Sequence, residues 1–259
     1  MRVWVCVKAV PDSESVAFDT EKGTLRRTGK GMTANPCDMV AVEAGIRFIR
    51  EYGGGLAAVS MGPSDAGLKS SLAMGAGQAY LLRSNRFAGA DVPATAYTLS
   101  SFFQKYSDFD VILCGKHSAD GDTGQTGAML AEYLGIPYAG GVTKIQKSEN
   151  NKLEVMQRLD DQEIILEMEM PCLLVIRNDF CIPGAPTLQG VLRARHQEIR
   201  IENEETLDSL NVEFCGSKGS ATRVVRIYVP DDSRITKQIM LEETGRLRTI
   251  LEEIMQNDQ

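Results

Sequence analysis

Apolar residues along the chain fall into short runs that switch between two periods. In residues 2–8, Val3, Val5 and Val7 alternate with Trp4 and Cys6. Both faces of that strand are apolar, which predicts a central place in a sheet. Residues 36–52 change to helical spacing, with Val40, Ala44 and Phe48 beside Val42, Ile46 and Ile49. Further apolar runs at 56–61, 78–82 and 111–114 read as strands. Segments 66–74, 92–106 and 125–135 have helical composition. The punctuation agrees. Asn35-Pro36 is a preferred cap followed by a first-turn proline, Gly53 to Gly55 is a stop, and Asp91 can cap the helix from 92.

Strand and helix alternate through residue 135, which predicts a doubly wound, parallel, Rossmann-like α/β sheet. Residues 140–147, 152–159 and 163–170 are then strand-like with no helix between them. They read as an antiparallel extension, with residues 160–162 as a hairpin turn, before 172–176 returns to the sheet. Residues 19–27 read either as a small hairpin or as an ordered surface loop. From Pro183 the pattern weakens. A short helix is expected at 187–195, residues 198–212 hold few core-sized side chains, 224–228 is a brief strand, and 235–255 is an amphipathic helix interrupted at Gly245. Two regions are therefore expected: an α/β domain over 1–182, and an arm over 183–259. An arm that cannot close its own core is expected to pack on another protein, unless it is a mobile extension.

The chain is organised around residues 111–130. A buried strand runs into the polar, glycine-rich stretch 115–127 and then into a helix start. Free amides and the positive end of the helix dipole make such a junction an anion site. Ser118, Thr123 and Thr126 can add hydroxyl donors, and Asp120, Asp122 or Thr123 can cap the helix. No standard phosphate-loop or dinucleotide motif is present. A calcium loop counted from Asp120 fails, because Gln125 stands where Gly is required and Ala131 where Glu is required. In a doubly wound sheet, ligands sit beyond the carboxyl ends of the strands. The loops after Lys8, Met61, Leu82 and Cys114 are thus expected to converge on one crevice, with Asn35 close by.

The 259 residues carry a net charge of −7 and no basic block, which argues against nucleic acid. No apolar run approaches the ~18 residues of a membrane span. The start of the chain is too short for a signal peptide, so a cytoplasmic or similarly reducing setting is expected. The six cysteines have no regular spacing and only His117 and His196 could join them, so neither disulfides nor zinc is expected.

Five motifs occur in order: Val5-Cys-Val-Lys-Ala-Val-Pro-Asp12, Asn35-Pro-Cys-Asp38, Val59-Ser-Met-Gly-Pro63, Ala73-Met-Gly-Ala76 and the loop from Gly115 to Gly127. Together they resemble the β (small) subunit of electron transfer flavoprotein, over residues 1 to 195 and more loosely beyond. The resemblance implies an adenine-nucleotide hydrolase-like α/β fold and a heterodimer with an FAD-carrying α subunit. It also implies a nucleotide in the crevice. Most members hold structural AMP there. An electron-bifurcating subset holds FAD, accepts hydride from NADH, and passes electrons to ferredoxin or flavodoxin and to the α-subunit FAD, which serves an acyl-CoA dehydrogenase-type partner. The Asp120-Gly-Asp-Thr123 stretch and the small-residue loop at Phe87-Ala-Gly-Ala-Asp91 resemble that subset.

Carried over residue by residue, the resemblance makes Cys6, Asn35, Pro36, Cys37, Asp38 and Met61 wall positions. Ser118, Ala119, Asp120, Gly121, Asp122, Thr123, Gly124, Gln125, Thr126 and Gly127 become the phosphate loop. Phe87, Ala88, Gly89, Ala90, Asp91 and Thr95 become flavin neighbours. Leu188 matches the leucine through which the subunit docks on its dehydrogenase, and a plain packing role is the alternative. The chain departs from the family pattern at Ser84 to Arg86, Val92, His117, Thr126 and Ala128-Met129.

Overall fold

The computed structural model describes residues 1–12, 17–19, 24–26, 31–147, 151–160 and 162–223. The first half alternates as its periodicity predicts. β1 (Arg2–Cys6) is followed by three-residue strands β2 (Ala9–Pro11), β3 (Ala17–Asp19), β4 (Thr24–Arg26) and β5 (Met32–Ala34). Then come α1 (Pro36–Tyr52), β6 (Gly55–Met61), α2 (Ala66–Met74), β7 (Gln78–Leu82), α3 (Val92–Lys105), β8 (Val111–Gly115) and α4 (Thr126–Leu134). β3 and β4 pair antiparallel, as a hairpin over 19–27 requires, and the expected turn lies outside the described residues.

β9 (Tyr138–Lys147), β10 (Lys152–Leu159) and β11 (Gln162–Glu169) form the antiparallel extension. β12 (Cys172–Ile176) then inserts between β9 and β8, parallel to both. The nine-stranded sheet has the order β11-β10-β9-β12-β8-β1-β6-β7, with β13 (Ile199–Glu202) at the far edge. From β1 the chain moves outward through β6 and β7, then crosses back to β8 on the other side of β1. The reversal leaves a crevice between the carboxyl ends of β1 and β8, where ligands of such sheets sit.

The two faces of β1 feed two cores. Val3, Val5 and Val7 pack with α1 and α2 residues such as Val40 and Leu68. Trp4 packs on the opposite face with Tyr80 and the α3 residues Phe102 and Phe103, at ring-centroid distances of 5.1, 5.3 and 5.7 Å. Each such ring pair contributes about 0.5–1.5 kcal/mol beyond its buried area.

Within residues 198–212, which the sequence left without an element, β13 runs in parallel register with β7. The strand is held by charge as well as by apolar area. Buried Glu202 accepts bonds from Tyr106 Oη (2.5 Å) and Lys105 Nζ (2.8 Å). Burial opposes ionisation of Glu202, but the bonds to Lys105, Thr206 and Tyr106 outweigh it and hold its pKa below the ordinary value. α5 (Leu188–His196), capped by Thr187, packs on α2. Residues 1–225 thus form one compact unit, and the position expected for a boundary, 182, falls inside it. The strand expected at 224–228 and the helix at 235–255 lie outside the described residues. No helix among the described residues is long and apolar enough to cross a membrane.

Candidate functional site

The loops that leave β1, β6, β7 and β8 line a single cavity of about 1010 Å³. That is at the upper end of the range typical of small-molecule sites. Of the expected wall positions, Cys6, Asp38 and Met61 line it. So do Phe87, Ala88, Gly89, Ala90, Asp91 and Thr95 from the β7–α3 connection. From the β8–α4 connection come Ser118, Asp120, Gly121, Thr123, Gly124, Gln125, Thr126 and Gly127. Asn35, Pro36, Cys37, Ala119 and Asp122 are not on its wall. Lys8, Ser64, Arg83 and Thr222 are, although the sequence reading passed over them.

Asn35 acts behind the wall, and Asp38 is a buried part of it. Asn35 occupies the cap position of α1 yet makes no side-chain cap bond, contrary to the expectation from its residue type. Its amide instead donates to the His117 carbonyl (2.8 Å), and its Oδ1 accepts from the Ala119 amide (3.2 Å). Fully buried, Asn35 therefore pins the 117–119 loop to the start of α1. Asp38 Oδ2 accepts the Lys8 amide at 2.7 Å. Burial pushes Asp38 up to about 7, against the lowering effect of bonds from the Lys8 amide, the Asn35 side chain and the Gly115 amide. A Cβ on Gly115 would collide with Asp38 Oδ1, so glycine at the end of β8 permits this close approach.

The loop itself turns at 118–122, where the amides of Gly121 and Asp122 donate to the Ser118 carbonyl at 3.3 and 2.9 Å. Asp122 has a positive φ of 47°, and its side chain is 81% exposed. α4 starts later than the caps proposed from sequence: Gln125 stands at the cap position, and neither Asp120, Asp122 nor Thr123 caps the helix. The first-turn amides of α4 have no acceptor within the helix, and the dipole adds positive potential there. Gly127 has a second reason to be glycine. A Cβ there would stand 2.7 Å from Val175 Cγ2 and 3.3 Å from Leu173 Cδ2, so the residue lets α4 lie against β12.

The floor of the cavity includes Cys6 and Cys114, which face each other across β1 and β8. A hydrogen bond between the two thiols, reinforced by burial, raises the Cys6 pKa well above the ordinary thiol value. Cys6 is thus held as a protonated, weakly polar surface. The rim beside α3 is made by a distant segment. The Ser217 amide donates to the Ala88 carbonyl (2.9 Å), and the Asp91 amide donates to Ser220 Oγ (2.9 Å). Asp91 Oδ1 caps α3 through the Ala94 amide, while its Oδ2 accepts from the amide and hydroxyl of Thr222 at 3.0 and 3.1 Å. Ala221 and Thr222 thereby complete the wall. Leu188 lies elsewhere, at the start of α5 and 75% exposed.

A parallel sheet with this crevice is shared by many unrelated proteins. Comparison with known proteins narrows it. A family described as "Electron transfer flavoprotein domain" matches residues 22–206. The chain is also similar to the electron transfer flavoprotein subunit beta of Thermoanaerobacterium thermosaccharolyticum, with 38% identity over 237 residues that cover 90% of each chain. The chain belongs to the electron transfer flavoprotein β-subunit family. Two other relatives of this electron transfer flavoprotein chain are named for reductases. It is 36% identical to the caffeyl-CoA reductase-Etf complex subunit CarD of Acetobacterium woodii, covering 98% of each. It is 31% identical to the acryloyl-CoA reductase electron transfer subunit gamma of Anaerotignum propionicum, covering 99% of this chain and 98% of the relative.

Proposed function

We propose that this electron transfer flavoprotein β subunit holds FAD in the crevice, accepts hydride from NADH, and passes single electrons onward. One goes to ferredoxin or flavodoxin. The other goes to the FAD of an α subunit that serves an acyl-CoA dehydrogenase-type partner, which is flavin-based electron bifurcation. The observation that carries this reading is the reach of the cavity. It runs from the 118–127 loop past Met61 to the small residues Ala88, Gly89 and Ala90. A mononucleotide needs only the loop end, and the remainder is room for a flat ring system.

The residues present fit that group. The first-turn amides of α4, with Ser118 and Thr126, would hold the phosphates, and Met61, Phe87 and the 88–90 backbone would flank the ring. When bound, a flavin supplies the exchange between two-electron and one-electron transfer. The chain's own part is to bind, orient and exclude water. Asn35 fixes the loop, Asp38 fixes the strand end, and protonated Cys6 keeps the floor free of charge. The names of the relatives from A. woodii and A. propionicum, each tied to an enzyme that reduces an acyl-CoA, support a partner of that type. Leu188 and the half-exposed Leu192 on α5 are the surface assigned to it.

The test is a nucleotide inventory. The chain is purified with its α subunit and denatured, and FAD and AMP are counted per heterodimer by chromatography. Two FAD and no AMP is the expected result. One FAD and one AMP would replace this reading with a conventional subunit that keeps AMP as a structural ligand.

A further inference from the structure

A loop that receives phosphate is here an acidic one. Asp120 and Asp122 both lie within it, and their side chains differ in surroundings: Asp122 is 81% exposed, whereas Asp120 is only 12% exposed and lines the cavity. An ionised carboxylate at that position repels any phosphate entering the cradle. Among the described residues, Lys8 is placed against it. Lys8, just beyond β1, reaches across the crevice so that Nζ lies 2.6 Å from Asp120 Oδ1 and 3.3 Å from Ser118 Oγ. The same Nζ stands 4.0 Å from where a Cβ on Gly121 would lie, so the ammonium is at the open backbone of the turn.

We infer that Lys8 is a positioning residue that makes this acidic loop competent for phosphate by offsetting the charge of Asp120 at the mouth of the turn. Two features of the site favour this over a simple strut. The Lys8 side chain is 45% exposed, and ion pairs of that exposure contribute little to stability. The loop is also pinned by Asn35 from the other side, at residues 117 and 119, so the ion pair is not its one anchor. What the pair changes is the charge that a ligand meets. The inference rests on reading the loop as a phosphate site, and it holds for any nucleotide there, whether FAD or AMP.

The experiment uses ADP as the probe. The full-length chain, in the complex in which it purifies, is stripped of nucleotide and titrated by calorimetry. Lys8→Gln is expected to weaken ADP binding by about tenfold, equivalent to about 1.4 kcal/mol, while Lys8→Arg stays within about threefold of the parent. Asp120→Asn is expected to bind ADP more tightly than the parent. The double variant, Lys8→Gln with Asp120→Asn, is expected to return to within about threefold of it. A strut would give a different pattern, because Asp120→Asn would then weaken binding as Lys8→Gln does, and that result overturns the inference. So does a double variant as weak as Lys8→Gln alone, which would make Lys8 a direct phosphate ligand. If the parent itself fails to bind ADP, the phosphate reading of the loop falls, and this inference with it. If the parent binds ADP and only the variants disagree, the inference alone falls.

Discussion

Asp38 and Lys8 are joined by a 2.7 Å bond from the Lys8 amide to the Asp38 carboxylate, so the first turn of α1 is fastened to the chain leaving β1. The carboxyl is buried, and burial raises its pKa from 3.8 to about 7. The folded state therefore binds more protons than the unfolded state between these values. Stability is highest below the unfolded pKa and falls as pH rises through that window, with a slope of at most about 1.4 kcal/mol per pH unit. Melting temperatures measured across it should fall for the parent and stay nearly level for Asp38→Asn. A parallel decline in both would assign the effect to another group. Glu202 acts in a different range. Its pKa lies below 4.5, so its contribution is present above that value and is lost only as pH falls further.

Asn35→Ala should damage the loop without touching the cavity wall. It leaves the Ala119 amide and the His117 carbonyl without their partner. Both groups are only partly buried, so each loss lies toward the low end of the ~1–3 kcal/mol that an orphaned buried group costs. Thermal denaturation and ADP titration should both report a loss. A lower melting temperature with unchanged ADP affinity would mean that the loop keeps its shape unaided.

Gly127→Val tests packing behind the phosphate loop. The added atoms meet Val175 and Leu173, and overpacking of this kind costs about 1–3 kcal/mol. With α4 pushed from β12, nucleotide content in the purified complex should drop. Full retention would show that α4 can slide without moving its first turn.

Gly121→Leu should act oppositely, sparing the fold and filling the cavity. The nearest protein atom to a Cβ at 121 is Ser118 Oγ, at 3.3 Å, so the side chain has room to extend into the space a ligand would use. The expected outcome is a stable complex that has lost the β-site nucleotide and kept the α-subunit FAD, measured by the same inventory. A complex that keeps both would remove the steric role of this glycine.

Much of the frame could be read from local pattern, because alternating apolar residues and glycine stops act over a few positions. β7 and α2 have the limits that the pattern predicted, and the four crevice loops emerge together as the alternation required. β13 was hidden because its stabilising residue is a carboxylate. Nothing in Ile199-Arg-Ile-Glu202 announces that Glu202 will be buried against Lys105 and Tyr106, almost a hundred positions earlier. Asn35 was misread for a related reason: the residue type favours capping, but tertiary partners more than eighty positions away took its side chain. Thr222 joins the cavity only through the return of a distant segment to Asp91, which periodicity does not encode.

The rim made by Ala221 and Thr222 against Asp91 also orders events in the life of the chain. A ribosome that has released residues 1–135 has supplied the 115–127 loop and the helix behind it, but the cavity still lacks a side. Closure waits until Thr222 has emerged, so the cavity cannot be complete in a nascent amino-terminal half.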